Sequence, residues 1–131
     1  IDKSLKLIYF LSMKKALIVI DHGSRLQAAN DMIFDVVEKL RQAAPDLIIE
    51  GCHMELADPD IEAAFTACVQ RGATHITAQP FMLSPGRHST KDIPELVQQA
   101  AAKFPEINYH VASHFGLHPS ITDLILDNSQ L

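Results

Sequence analysis

The feature that most constrains the fold is the alternation of short, continuous apolar runs with longer segments of helical periodicity. The run Ala16–Ile20 is apolar at every position, as expected for a strand buried on both faces of a sheet. Similar runs at 47–54, 75–79 and 107–112 predict three further strands. Strands that alternate with helices predict a parallel sheet with right-handed crossovers. We therefore predict an α/β fold, a flavodoxin-like three-layer arrangement of four parallel strands in the order 2-1-3-4.

Helix start signals lie between these runs. Ser24 is predicted to cap the first helix, and Asp58, directly before a proline, the second. A loop at 81–91 then precedes a helix from about Asp92. Pro119 opens the last helix, which completes a β-α-β-α-β-α-β-α order.

Length and charge narrow the function classes. The chain has 131 residues, which suits one domain, predicted at 13–131, with residues 1–12 as an upstream extension. The apolar part of that extension is too short to span a membrane, so no membrane partner is expected. Lys plus Arg number 11 against 16 acids, so the net charge is 11 − 16 = −5. This charge argues against a general nucleic-acid binder. Two cysteines without a CxxC pair favour a reducing, cytoplasmic setting.

Two histidines fall where a parallel sheet binds its ligands, beyond the carboxyl ends of the strands. His22 directly follows the first strand, and His88 lies in the loop after the third. In the order 2-1-3-4 these strands are neighbours about 4.8 Å apart, so both imidazoles can enter one cleft. Imidazole suits Co, Ni, Fe and Zn ions. The alternatives are a turn histidine bonded to backbone and a solvated loop histidine.

Other polar residues surround the predicted cleft. Glu55 closes the second strand and is a candidate metal ligand or base, with a plain rim carboxylate as the alternative. Ser24 and Arg25 follow His22 at a predicted helix start, where free amides favour anions. Arg87 and Lys91 flank His88 and supply local positive charge in an acidic protein.

The motifs resemble those of the small sirohydrochlorin chelatases, which are class II, ATP-independent enzymes. The resemblance rests on His-Gly-Ser-Arg after the first strand, on Glu55 followed by Pro59, and on a long third motif. That motif reads Pro-Phe-Met-Leu-x-x-Gly-x-His-x-x-x-Asp-Ile-Pro and begins at Pro80. The similarity runs from Met13 to Pro119, so it implies a chelatase-like fold for most of the chain.

The resemblance also implies a function. His22 and His88 match the family's two metal-binding histidines, and Glu55 matches an acidic position near the cleft. The implied reaction is insertion of Co²⁺, with Fe²⁺ or Ni²⁺ as alternatives, into sirohydrochlorin in cobalamin or siroheme biosynthesis. The metal is thus a substrate, and a homodimer is implied. No nucleotide is expected, since the chain has no GxxxxGK[ST] loop.

The substrate of that reaction is a polycarboxylate. Arg25, Arg87 and Lys91, with Ser24 at the turn, are therefore predicted to bind it. Three other functions remain open at this stage: a non-catalytic cobalt or nickel delivery module, a histidine-nucleophile phosphatase, and an interaction domain that merely keeps the scaffold.

Overall fold

Strand β1 (Lys15–Asp21) lies inside a four-stranded parallel sheet. It pairs with β2 (Ile48–His53) on one side and with β3 (His75–Pro80) on the other, and β4 (Asn108–Val111) pairs with β3. The strand order is 2-1-3-4, which confirms the predicted topology. These elements belong to a computed structural model that describes residues 2–131.

The helices lie on both faces of the sheet and at its periphery. They are α1 (Lys3–Ser12), α2 (Gln27–Ala43), α3 (Ile61–Gln70), α4 (Ile93–Ala101) and α5 (Ser120–Ser129). A π-turn at His88–Asp92 runs into α4 without a break. Helix α2 packs on β1 and β2, whereas α3 and α4 pack together on the opposite face.

Two apolar cores explain why the segment Ala16–Ile20 of β1 is apolar at every position. The smaller core lies under α2 and consists of Val19, Ile33, Val37 and Ile49. The larger core lies under α3 and α4 and includes Ile18, Ile20, Phe65, Ile76 and Val97. Successive side chains of a strand point to opposite faces, so a strand covered on both faces has no position for a polar residue.

Helix α2 begins at Gln27 and not at Ser24, so the predicted Ser24 cap is wrong. The residue before the helix, Leu26, offers no side-chain cap. The reason is Asn30, a buried residue in the first turn of α2. Its side-chain amide accepts from Ser24 N at 2.9 Å and donates to Ser24 O at 2.7 Å. These two bonds hold the chain around Ser24 as a loop outside the helix.

Helix α3 is capped by Asp60 and not by Asp58. The Asp60 carboxylate accepts a hydrogen bond from Ala63 N at 2.8 Å, which satisfies one of the free amides of the first turn. Pro59 stands before the helix, and its carbonyl accepts from His53 N at 2.9 Å. The pair Asp58–Pro59 thus predicted a helix correctly, but the residue that caps this helix lies two positions later, at Asp60.

The helix after β3 starts earlier than predicted, within the segment expected to be a loop. Its first turn, His88–Asp92, is π-helical, and Ile93 N donates to His88 O five residues back. Pro94 has no N–H and its ring crowds the carbonyl of Thr90 in a regular α-helix. A wider turn directly before Pro94 relieves that conflict, and such turns are frequent at functional sites.

The terminal helices lie at the periphery of the described chain. Most of the predicted extension forms α1, and the Tyr9 hydroxyl lies 3.0 Å from His75 Nε2 at the amino end of β3. Helix α5 has no buried residue, although it carries the apolar run Leu124–Leu126. Within residues 2–131, no helix combines the length and the apolarity needed to cross a bilayer.

The capping of α3 can be tested by a pair of substitutions. Asp60→Ala removes the acceptor for Ala63 N, so the free energy of unfolding should fall by about 1 kcal/mol. Asp58→Ala removes no cap bond and should change it by less than about 0.5 kcal/mol. Urea unfolding followed by circular dichroism measures both values. Equal losses in the two variants would mean that Asp60 is not the cap.

Candidate functional site

His22 and His88 meet at the carboxyl edge of the sheet. Their ring centroids lie 5.0 Å apart and their planes are perpendicular. A tetrahedral ion held at about 2.0–2.1 Å by one nitrogen of each ring would place the two centroids about 5 Å apart. His22 is exposed and the His88 side chain keeps 44% of its surface accessible. The centroid spacing and the solvent access of the pair are therefore compatible with a shared metal ion.

The Asp21 side chain holds the turn that carries His22 through two contacts. The Asp21 carboxylate accepts from Gly23 N at 3.0 Å and lies 2.6 Å from His53 Nδ1. Because an ionised carboxylate can only accept, the His53 ring donates from Nδ1. His53 is fully buried, and its Nε2 has no partner in the described part of the chain. This buried pair joins the ends of β1 and β2.

Gly23 is required by close contact as well as by conformation. Its φ is +84°, in the left-handed region that favours glycine. A Cβ added here would lie 1.8 Å from the Glu55 carbonyl oxygen and 3.2 Å from the His53 Cβ. The chain after β2 thus passes directly against the turn after β1.

The backbone of Glu55 is hydrogen-bonded to the backbone of His22. Its N–H donates to the His22 carbonyl at 3.1 Å, which extends the β1–β2 pairing past the strand ends. The exposed Glu55 side chain lines a cavity of about 340 Å³ together with Asp92 and Glu95. Among residues 2–131, no three His, Cys, Asp or Glu side chains are grouped to hold a metal. The structure therefore brings the two histidines together but leaves the Glu55 carboxylate outside a ready-made ligand set.

His88 has a partner that the sequence reasoning missed. Its Nδ1 lies 2.9 Å from Asp92 Oδ2, four residues along the π-turn. Arg87 Nε approaches the other oxygen of Asp92 at 3.9 Å. The spacing of four residues would have revealed the pair, but the segment was expected to be a loop, where that spacing carries no meaning.

The predicted anion-binding residues have unequal surroundings. Arg25, Arg87 and Lys91 are exposed, on the turn after β1 and on the π-turn. Ser24 is half-buried, and its hydroxyl oxygen accepts from Leu26 N at 3.0 Å. The three cations are thus accessible to a ligand, although Arg87 is also paired with Asp92, and Ser24 is held in its own loop.

The cysteines are separate from this site. Both are free and buried. Burial raises the pKa of the Cys68 thiol to about 12 and raises the pKa of Cys52 further. Both side chains belong to the larger apolar core and not to the histidine cleft.

Comparisons with known proteins agree with this architecture. A model of the family named CbiX matches residues 16–130. The chain is 40% identical over 114 residues to the chloroplastic sirohydrochlorin ferrochelatase of Arabidopsis thaliana, a match that covers 87% of this chain and 51% of that protein.

Two solved structures show the same fold. The sirohydrochlorin chelatase SirB from Bacillus subtilis subspecies spizizenii, in complex with cobalt, superposes with a TM-score of 0.84 at 30% identity, over 90% of this chain and 50% of that one. A putative cobalamin biosynthesis CbiX protein from Marinobacter aquaeolei superposes with a TM-score of 0.76 at 22% identity, over 88% of this chain and 94% of that one. The chain therefore spans about half the length of the Arabidopsis and Bacillus proteins.

The turn at Gly23 gives a test of the site's architecture. Gly23→Ala forces a side chain into the left-handed region, at about 1–2 kcal/mol, and against the Glu55 carbonyl. We expect a loss of stability above about 2 kcal/mol in urea unfolding. Gly86→Ala is the control, because nothing lies within 4 Å of a Cβ at that position. A Gly23→Ala protein as stable as the control would contradict the close approach of the two chain segments.

Proposed function

This chain belongs to the CbiX family, and from that premise we propose that it inserts a divalent metal into sirohydrochlorin without ATP. The observation that carries the proposal is the pair formed by His22 and His88, with ring centroids 5.0 Å apart at the carboxyl edge of the sheet. The resemblance to sirohydrochlorin chelatases is confirmed at the level of the family. The activity itself is proposed, because the chain spans half of the related proteins named above.

In the proposed reaction the metal ion is a substrate. Both histidines bind it together and present it to the macrocycle. Each ring coordinates through an unprotonated nitrogen, so binding requires neutral imidazoles. Two protein ligands leave open positions on the ion, and pyrrole nitrogens of the macrocycle fill them as the ion is transferred. Two N–H protons leave the macrocycle for each M²⁺ that enters. We assign one of them to Glu55, an exposed carboxylate whose backbone is bonded to His22, and the other to the exposed His22 imidazole, whose lone pair the departing ion frees.

The macrocycle itself is recognised by its carboxylates. The whole protein carries a net charge of −5, so an anionic ligand must be attracted locally. We propose that Arg25, Arg87 and Lys91 provide that attraction, since all three are exposed on the two turns that carry the histidines. Asn30 holds Ser24 in its loop, and the Ser24 hydroxyl, whose oxygen accepts from Leu26 N, keeps its hydrogen to donate to a carboxylate.

The metals proposed are Co²⁺ and Fe²⁺, with Ni²⁺ as a further alternative. The Arabidopsis relative is named a ferrochelatase, and the Bacillus structure is a complex with cobalt. Two imidazoles accept any of these ions, because imidazole is a ligand of intermediate softness. Selection between the cobalamin and siroheme pathways then depends on which metal the cell supplies. A reducing compartment, such as the cytoplasm, fits the two free cysteines.

The chelatase proposal predicts the behaviour of histidine variants. Sirohydrochlorin mixed with Co²⁺ and the protein should show a faster absorbance change to the metallated form than the same mixture without protein. His22→Ala and His88→Ala should each reduce that acceleration by more than about 100-fold, beyond the 10–100-fold typical of outer partners of a metal ligand. His110→Ala is the control, because His110 is an exposed residue of β4.

Two results would reject the proposal. Full activity in His88→Ala would remove the metal site from the reaction. Tight Co²⁺ binding by the wild type without any acceleration would favour the alternative, a cobalt or nickel delivery module without catalysis. Isothermal titration with Co²⁺ alone measures that binding separately.

We also propose that two copies of the chain pair through α5. This helix has no buried residue, and Leu124, Ile125 and Leu126 are each more than 50% exposed. Beside it lies an apolar groove of about 460 Å³, whose walls include Phe81 and Phe115. An exposed apolar surface of this kind marks an interaction site. The same fold occurs as nearly a whole chain in the Marinobacter protein and as half of a chain in the Bacillus protein, so a second copy is the occupant we choose.

The proposed dimer can be tested by its mass in solution. The wild type should elute from size-exclusion chromatography with light scattering as a dimer, and Leu124→Glu with Ile125→Glu should elute as a monomer, because two charges cannot be buried at a dimer interface without partners. Leu5→Glu, in the exposed part of α1, is the control and should stay dimeric. A wild-type monomer at 100 μM would refute the dimer, since an interface of roughly 1,200 Å² or more should hold at that concentration.

A further inference from the structure

We propose that Asp92 is a positioning residue that fixes the tautomer and orientation of His88 for metal binding. The inference rests on the proposed function, because it assigns a role toward the ion that His22 and His88 would hold. It begins with one contact, the 2.9 Å separation of His88 Nδ1 and Asp92 Oδ2.

The chemistry of this contact defines which nitrogen is free. A carboxylate only accepts hydrogen bonds, so the proton of the neutral ring resides on Nδ1. The other nitrogen, Nε2, then carries the lone pair that a metal needs. Histidine ligands in metal sites commonly donate their second nitrogen to a carboxylate, which orients the ring and makes it a better ligand. The His88–Asp92 pair has this arrangement.

The backbone of Asp92 is held firmly enough to act as a support. Its neighbour Ile93 is fully buried in the larger core, and Ser89, one residue after His88, is also buried. The Ser89 hydroxyl accepts from Gly86 N at 3.2 Å and lies 3.3 Å from Gly86 O. The buried residues Ser89 and Ile93 thus hold the backbone next to His88 and next to Asp92. The His88 ring itself remains partly exposed.

His22 has no comparable support. Within the described residues the His22 ring makes no hydrogen bond. The aromatic ring that lies against it there is the ring of His88. The two ligands thus differ in kind. Asp92 orients the His88 ring, whereas in the part of the chain that the structure describes no hydrogen bond orients the His22 ring.

A plain stabilising role is the competing explanation, because an acidic residue four positions after a histidine also supports a helix. The two explanations differ in what Asp92→Asn should do. An amide oxygen can still accept from Nδ1, so this variant should retain most of the orientation. Asp92→Ala removes the acceptor altogether. The matched control is Glu95→Ala, which removes a carboxylate from the same helix and the same cavity but leaves His88 Nδ1 bonded.

The first measurement uses the metal-free protein. Nitrogen-15 NMR of histidine side chains should show His88 as the Nδ1–H tautomer in the wild type, in Asp92→Asn and in Glu95→Ala. In Asp92→Ala the proton should move to Nε2 in a large fraction of molecules, because nothing holds it on Nδ1. Circular dichroism verifies that each variant is folded.

The second measurement is the Co²⁺ dissociation constant from isothermal titration. Asp92→Ala should weaken binding by about 10–100-fold, and Asp92→Asn by less than about 10-fold. Glu95→Ala should change it by less than about threefold, since a single exposed charge is screened by solvent and salt. This order of the three variants is the result expected of a positioning residue.

Two outcomes would overturn the inference. A folded Asp92→Ala that keeps the Nδ1–H tautomer, or one that binds Co²⁺ as tightly as the wild type, removes Asp92 from the metal site. Failure of the wild type to bind Co²⁺ would instead overturn the proposed function. The two failures are distinguishable, because the tautomer is measured without metal.

Discussion

The parallel pairing of β1 with both of its neighbours is the constraint on which the rest of the site depends. Register pairs Asp21 with His53 on one side and Ile20 with Pro80 on the other, so three strands end at one level. The turn after β1 carries His22, and the chain after β3 leads to the π-turn with His88. A register shift of one residue would reverse the faces of β1 and place its apolar side chains in the wrong core. Burial on both faces therefore determines where the two imidazoles meet.

Two carboxylates stabilise the two histidine turns in different ways. Asp21 bonds the backbone at Gly23 and the buried ring of His53, so it shapes the turn and leaves the His22 ring free. Asp92 bonds the ring of His88 directly. In the turn after β1 a hydrogen bond holds the backbone at Gly23, whereas in the π-turn a hydrogen bond holds the His88 side chain itself.

The sequence predicted the sheet, its strand order and the meeting of the two histidines, because apolar periodicity and the carboxyl-edge rule act over whole elements. It failed where one side chain overrides a local signal. Asn30 reaches back to hold Ser24 outside α2, and Asp60, two residues after the expected cap, begins α3. The π-turn before Pro94 was missed because a breaker near a helix start suggests a loop. Because that turn was predicted to be a loop, nothing in the sequence indicated that His88 and Asp92, four residues apart, are in contact.

In the proposed reaction, charge at the site must serve two substrates of opposite sign. A divalent cation is attracted by carboxylates, and Glu55 and Asp92 line a common cavity beside the histidines. A polycarboxylate macrocycle would be repelled by that cavity and by the negative charge of the whole protein. The exposed cations Arg87 and Lys91, on the same turn as His88, oppose that repulsion. A site of uniform sign would concentrate one substrate at the expense of the other, so adjacent patches of both signs are what a two-substrate chelation reaction requires.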